Sequence, residues 1–432
     1  MNVHDSDTIS QILLNKGYKK TDSINDADIV LINTCAVREK AEQKALTLIG
    51  RLASLKINKP DMISGIIGCV AQEQGTGLLK RFPFIDLILG PRNIYRIDDF
   101  ITQIKKGRRR ISSLDLTWEP ALFTNYNGYL KGKVKSFLKI MEGCNNFCTY
   151  CIVPFVRGRE ASLPAEDIIN KSKYLVSQGI QEITLIGQNV NSYNTKNNAL
   201  PTFPGLLKEL NRIAGLKRLR FITSHPKDLS DELIGSFGEL KSLCPHIHLP
   251  VQSGSDNILK LMNRGYTRDK YLSLIERIKK VRPDITITSD LIVGFPGETE
   301  KDFEDSLQLI DKIEFDNLFS FKYSERPKTK ALQLPGKLDE KEKQRRLSIL
   351  QEKQRKITLS KNKLMEETIQ EILVEGPGKK GKSQLTGRTS GNKVVNFFAK
   401  KNFKGELVRV KIIKGFQNSL LGELVDKYKK VY

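Results

Sequence analysis

The chain has 432 residues, 39% hydrophobic and 28% charged, which is too long for one small core and sets two or three domains as the expectation. Lys and Arg outnumber Asp and Glu 72 to 49, a formal charge of +23 that favours a polyanionic partner, nucleic acid before an anionic membrane surface. Six cysteines are too few for a disulfide scaffold, no apolar run reaches spanning length and the first ten residues lack a secretory layout, so a reducing cytoplasm is expected.

Residues 1–104 read as an open α/β domain. Asp5 to Tyr18 carries Ile9, Ile12 and Leu13 on one helical face. No strand precedes it, although an α/β unit ordinarily opens on one. The apolar run Ala27–Asn33 predicts a buried parallel strand ending at Thr34-Cys35, and a helix follows with Ala41, Ala45, Leu48, Leu52 and Leu55 on one face. A second strand over Met62–Gly68 ends at Cys69, and Ile85–Leu89 is a third. Ligands in open α/β sheets bind beyond the carboxyl ends of strands, where both cysteines fall. Residues 105–134 read as a linker. It opens on the basic run from Lys105 to Arg110, either a solvated charge run or a contact for RNA phosphate.

Over 135–335 about six strand–helix repeats appear, with strands at Phe137–Met141, Glu182–Ile186, Arg218–Thr223, His246–Val251, Thr286–Val293 and Asn317–Phe321. Such a succession argues for parallel strands with right-handed crossovers. Six units fall short of a closed eight-stranded barrel, so a partial (β/α)6 barrel is expected. The loop leaving the first strand holds Cys144, Cys148 and Cys151 in a C-x3-C-x2-C run. Structural zinc takes four ligands, and no His lies nearby to complete three thiolates. A 4Fe–4S cluster held by three thiolates keeps one iron open to a substrate or cofactor, which fits the spacing better. Later strand ends carry Gly187-Gln188-Asn189, Ser224-His225-Pro226, Gln252-Ser253-Gly254 and Gly294 to Glu298. Their glycines allow close backbone approach and their polar side chains suit an amino group, a carboxylate or a ribose. His225 is read either as such a contact or as a satisfied structural residue. Cys244 is read as a buried structural thiol.

Residues 336–365 form a charged helical connection. Beyond it, 366–432 reads as a small β-barrel, with strands at Glu371–Val374, Val394–Phe398 and Leu407–Ile413. From Gly376 to Lys414 there are eleven Lys or Arg against one acid, Glu406, interleaved with Phe397, Phe398 and Phe403. Basic residues with aromatics suit looped RNA through phosphate pairing and base stacking, with at least one Phe reserved for the barrel core.

These motifs together resemble the radical S-adenosylmethionine (SAM) methylthiotransferases. The resemblance rests on the three-cysteine loop, Asn33 to Ala41, Gly68 to Gln72, Arg157-Gly158-Arg159-Glu160, His248 to Ser255 and Met262 to Tyr266, and it spans essentially the whole chain. The residues after Cys35 place it with the tRNA branch. The resemblance implies an amino-terminal methylthiotransferase domain, a radical SAM core and a carboxyl-terminal TRAM domain that binds tRNA. It implies methylthio transfer to C2 of N6-isopentenyladenosine beside the anticodon. Alternatives are threonylcarbamoyladenosine tRNA or a ribosomal protein as acceptor, or a non-catalytic RNA-binding homologue. Two 4Fe–4S clusters and SAM are implied as cofactors: Cys144, Cys148 and Cys151 hold the SAM-binding cluster, and Cys35 and Cys69 ligate the auxiliary one. Gly187, Gln188, Gln252, Ser253 and Glu298 are the candidates for the SAM pocket. Expected partners are the tRNA anticodon stem-loop and a reduced flavodoxin or ferredoxin, with the sulfur donor left open, no membrane, and a monomer as the working state. Family members begin with a strand ending in Gly-Cys-Gln-Met-Asn, whereas this chain starts at Met1-Asn2-Val3. The first strand and first cysteine are therefore expected to be missing, through a start placed too late or, as the other option, a real truncation.

Overall fold

The computed structural model describes residues 1–36, 39–120, 130, 132–195, 201–379 and 381–425. The chain forms two compact units. The first comprises Met1–Lys131, Lys139–Asp167 and Arg326–Leu332; the second comprises Gly132–Leu138, Ile168–Glu325 and Gln333–Tyr432. Among the described residues no helix is long and apolar enough to cross a membrane.

In the first unit a helix over Asn2–Asn15 precedes four strands, β1 (Ile29–Thr34), β2 (Ile63–Gly68), β3 (Leu87–Leu89) and β4 (Ile111–Ser113), which lie side by side in chain order as a parallel sheet. The apolar runs explain β1 to β3: β2 is buried along its whole length, as a central parallel strand must be. β4 falls in the stretch read as linker, because three residues with one buried side chain give no periodic signal. The basic run beside it is partly tied down. Arg109 reaches Asp86 at 3.4 Å and Arg110 donates to the Leu79 carbonyl at 3.0 Å. Among the described residues β1 is one edge of the sheet and β4 the other, and a cleft of about 760 Å³ runs along β1, lined by Ile9, Leu13, Ile29, Leu31 and Asn33 among others.

The chain then passes through β5 (Lys135–Lys139) and forms the short antiparallel pair β6 (Met141–Glu142) and β7 (Ala161–Ser162), which brackets the three-cysteine loop. Ile152 and Val156 of that loop join Ile32, Ile66, Cys69 and Val70 in one apolar core. The loop thus packs with the amino-terminal sheet, although it follows a strand of the repeats in sequence.

In the second unit β5, β8 (Glu182–Ile186) and β9 (Arg218–Phe221) are neighbours in one sheet, and β10 (His246–His248), β11 (Thr286–Val293) and β12 (Asn317–Lys322) form another. A parallel bridge between Leu219 and Leu243 joins β9 to the segment leading into β10, so six strands run in chain order around a half-barrel. Capping fixes the helix entries. Ser230, Ser255, Thr267, Thr299 and Asp339 each accept a backbone N–H at a helix start, and Thr299 does so in a capping box with Asp302.

The charged connection is one helix over Glu340–Lys363 whose buried stripe is Arg346, Leu350, Gln354, Thr358 and Asn362. The i, i+4 spacing is that of an amphipathic helix, but only Leu350 is apolar. The stripe stays buried because its donors are bonded: Gln354 donates to the Phe315 carbonyl at 2.7 Å, Thr358 to the Asp316 carbonyl at 3.1 Å and Asn362 to the Phe416 carbonyl at 2.7 Å. The chain ends in a closed barrel of β13 (Ile369–Gly378), β14 (Gly381–Thr389), β15 (Val394–Phe398), β16 (Leu407–Gly415) and β17 (Leu420–Leu424). Phe397 and Phe403 fill its core, while Phe398 points outward at 55% exposure.

Candidate cluster and SAM site

All five cysteines picked out from the sequence fall in the first unit. Cys35 and Cys69 each follow the last registered pair of two adjacent parallel strands, Thr34 opposite Gly68. Adjacent strands lie roughly 4.8 Å apart, so the two residues leave the sheet side by side. Cys69 opens the helix Cys69–Gln74 and is buried. Burial pushes its thiol pKa upward, and the Arg157 guanidinium, which hydrogen-bonds to it, opposes that rise.

The loop carrying Cys144, Cys148 and Cys151 is shaped by its backbone. Gly143 has φ +83°, and a Cβ there would overlap the Arg159 carbonyl, so only glycine permits this crossing. Cys144 N–H donates to the Gly158 carbonyl at 3.2 Å, and Cys151 N–H to the Cys148 carbonyl at 2.9 Å. Asn145 accepts from Glu160 N–H at 3.2 Å, and the Arg159 guanidinium covers the Phe147 ring at 4.2 Å. The Asn146 N–H points at the Cys144 sulfur at 3.5 Å, a contact of the kind that tunes cluster-ligating thiolates. Three thiols carried by one loop fit a polynuclear cluster, in which each thiolate binds a different iron.

Sequence reasoning missed the charges behind these thiols. Arg157 donates to Glu142 at 2.9 Å and to Asp5 at 2.8 Å, and Lys139 reaches the other oxygen of Glu142 at 2.9 Å. None of these four side chains exceeds 3% exposure. Both carboxyls are held below their usual range: burial alone would raise them, and the cations, Arg157 first for Asp5 and Lys139 first for Glu142, overcome it. Arg157 therefore ties the amino-terminal helix, β6, the cysteine loop and Cys69 together. Its motif with Gly158 carried the family resemblance, but nothing in the sequence indicated these partners.

In the second unit Gly187, Gln188, Gln252, Ser253 and Glu298 all lie at or beyond carboxyl ends of the half-barrel strands. The side chains of Ser253 and Glu298 are engaged by the protein. Ser253 Oγ accepts from Ser255 N–H at 3.2 Å and meets Ser306 Oγ at 3.5 Å. Glu298 accepts from Gly294 N–H at 3.1 Å and pairs with Arg346 at 2.6 Å, while burial raises its carboxyl. Gln252 holds its backbone at φ +73° while exchanging hydrogen bonds with β11, through Asp290 O and Ile292 N.

Beyond the carboxyl ends of β8 and β9, three buried polar atoms have no hydrogen-bond partner among the described residues: Asn189 Oδ1, Ser224 Oγ and His225 Nε2. His225 Nδ1 accepts from Lys227 N–H at 3.2 Å, which places the proton of the neutral ring on Nε2. The ring stays neutral because burial first, then Arg264 and Lys227, push its pKa down to about 2. Orphaned polar atoms are costly without a ligand. All three residues stood in the strand-end motifs, but burial without a partner is visible only in the fold. Cys244 is 3% exposed and its thiol is pushed up to about 11 by burial, as a structural cysteine requires.

Residues 138–310 match the Radical SAM superfamily, residues 1–90 match Uncharacterized protein family UPF0004, and residues 363–425 match the TRAM domain. A protein from Syntrophus aciditrophicus (strain SB), "tRNA-2-methylthio-N(6)-dimethylallyladenosine synthase", is 50% identical over 429 residues, covering 98% of this chain and 92% of that one. A protein of the same name from Geobacter metallireducens is 46% identical over 98% of this chain and 96% of its own length. Among solved structures, a radical S-adenosylmethionine methyltransferase, TsrM, from Kitasatospora setae shares the fold, with a TM-score of 0.56 at 15% identity over 77% of this chain and 74% of that one.

Proposed function

Since the chain belongs to the radical SAM methylthiotransferase family of the tRNA-2-methylthio-N(6)-dimethylallyladenosine synthases, we propose that it transfers a methylthio group to C2 of N6-isopentenyladenosine beside the anticodon of tRNA. The observation that carries this reading is the gathering of five cysteines into one compact unit as two groups, a loop of three and a strand-end pair.

Cys144, Cys148 and Cys151 would hold the SAM-binding 4Fe–4S cluster, and Cys35 and Cys69 would supply two thiolates to an auxiliary one. When bound, the first cluster supplies the electron that cleaves SAM to methionine and a 5′-deoxyadenosyl radical, chemistry that no side chain offers. The protein's own part is placement and charge. His225 Nε2–H would donate to a carboxylate or ribose oxygen of SAM, and Ser224 and Asn189 would meet its remaining polar groups. Arg157 keeps a positive charge against Cys69 and stabilises the thiolate form needed for ligation. The small β-barrel would bind the RNA, with Phe398 offering an exposed ring to a base and the surrounding lysines pairing with phosphates. A reduced flavodoxin or ferredoxin would supply the electron, in a cytoplasmic setting.

Anaerobic reconstitution with iron and sulfide tests the metal content. About eight irons per chain, falling to about four in Cys35→Ala and in Cys144→Ala, is the expected result. Four irons in the parent chain would remove the auxiliary cluster from the account. Nucleoside mass spectrometry of tRNA from cells lacking the gene tests the acceptor. Loss of 2-methylthio-isopentenyladenosine is expected, and loss of the threonylcarbamoyl counterpart alone would reassign it.

A further inference from the structure

The turn joining β14 to β15 enters the amino-terminal end of the half-barrel, the end opposite the strand termini that carry Gln188, Gln252 and His225. Arg220 donates to the carbonyls of Ser390 at 2.6 Å and Thr389 at 2.9 Å. Arg218 donates to the carbonyls of Arg388 at 2.7 Å and Glu371 at 2.9 Å. Both arginine side chains are 3% exposed, and Arg220 Nε also lies 3.0 Å from Glu182 at the start of β8. Gly391 sits so close to the first residue of β11 that a Cβ would overlap the Thr286 hydroxyl. Lys393 Nζ lies 3.2 Å from Asp316, just ahead of β12, and 2.8 Å from Asn362 of the long helix. One turn thus engages residues of three strands or their approaches, β9, β11 and β12, and reaches β8 only through Arg220 and Glu182.

Adhesion alone does not call for this chemistry. Burying a guanidinium is costly, and apolar side chains of similar volume hold two surfaces together at least as well. A planar fork aimed at backbone carbonyls fixes distance and angle together. The acceptors are main-chain atoms, so the grip is on the path of the turn and not on a mobile side chain.

We propose that Arg218 and Arg220 are positioning residues for the RNA. By bolting the small barrel to the amino-terminal end of the half-barrel, they make the RNA-binding module a rigid part of the catalytic scaffold. β11, the longest strand of the half-barrel, has eight residues and spans about 26 Å. RNA gripped at one end is then offered to the opposite end at a set distance, with no hinge to search. The inference rests on the reading of the small barrel as the RNA grip.

The test uses the full chain reconstituted with both clusters, with tRNA as the varied substrate. Arg218→Met combined with Arg220→Met should raise KM for tRNA by about tenfold or more and leave RNA-independent cleavage of SAM to 5′-deoxyadenosine unchanged. Lysine at both positions keeps the charge but loses the fork, and should give a smaller rise in KM; it also serves if the methionine variant does not fold. Phe398→Ala separates the two readings. If Phe398→Ala raises KM and the arginine variants do not, the positioning role is overturned while the RNA grip stands. If neither changes KM, both are overturned. A rise in KM accompanied by lost SAM cleavage would reduce the arginines to structural supports.

Discussion

Arg157 in the first unit and Arg218 and Arg220 in the second are equally buried, each 3% exposed at the side chain, yet their partners differ. Arg157 faces two buried carboxylates and a thiol, so its charge is answered by charge. Arg218 and Arg220 spend their terminal nitrogens mostly on backbone carbonyls, so what they fix is geometry. Removing the first should disturb electrostatics near the thiols and hence the clusters. Removing the others should disturb chiefly where the small barrel stands, with Arg220 also leaving the buried Glu182 without its partner.

The largest expected effect is that of Arg157→Met. It leaves Asp5 and Glu142 in the interior with Lys139 as the remaining cation contact, a loss of about 3–5 kcal/mol in denaturant unfolding. Iron retention should fall with it. The pH dependence sharpens the point. Asp5 and Glu142 have folded-state pKa values below their ordinary 3.8 and 4.5. The unfolded chain therefore binds protons first as acid is added, so the stability these groups confer is full above about pH 5 and drains away below it. In Arg157→Met this acid loss should shrink, because the carboxyls are no longer held ionised. An unchanged acid profile would break the contrast between the two kinds of arginine.

Next comes the pair of neighbouring phenylalanines on β15. Phe398→Ala should weaken RNA binding by about 1–3 kcal/mol at unchanged stability. Phe397→Ala should instead cost about 3–5 kcal/mol in unfolding, since it opens a cavity in the small-barrel core. Similar unfolding losses for both would remove Phe398 from the RNA surface.

His225 gives a smaller and gradual effect. Its folded-state pKa lies near 2, against 6.5 in the unfolded chain. Below pH 6.5 the unfolded state takes up a proton that the folded state refuses, so stability falls by up to about 1.4 kcal/mol for each unit of further acidification. His225→Gln should flatten that slope between pH 6.5 and 4.5 in equilibrium unfolding. Cys244→Ala should do least, costing on the order of 1 kcal/mol with iron content unchanged. A loss of iron would make that thiol a ligand and not a packing group.

The strands most faithfully read from sequence were those with strong apolar runs. β8 and β11 have the predicted bounds, and β1 and β2 differ by a residue or two at their ends. β4 and β14 were not anticipated. β4 is a three-residue strand, and β14, Gly381–Thr389, is rich in Gly, Lys, Ser and Thr and is held by its neighbours in a closed barrel. The long helix was legible as a helix, but its buried stripe was not, because a buried Gln, Thr and Asn resemble surface residues until their carbonyl partners are known. Of the proposed SAM residues, Ser253 and Glu298 stand beyond strand ends as the motifs suggested, yet which polar atoms have internal partners depends on contacts far away in the chain.

The sequence by itself determined the chemistry: three thiols within eight residues, two more at strand ends and a basic carboxyl-terminal segment. These are local facts, set by residue type and spacing. The tertiary structure decided that all five of those thiols share one unit, that Arg157 answers two buried carboxylates, and that a turn more than 160 residues downstream seats on Arg218 and Arg220. Those outcomes depend on burial and on pairings between distant segments. Desolvation makes a charge or a hydrogen bond decisive only once the chain has closed around it.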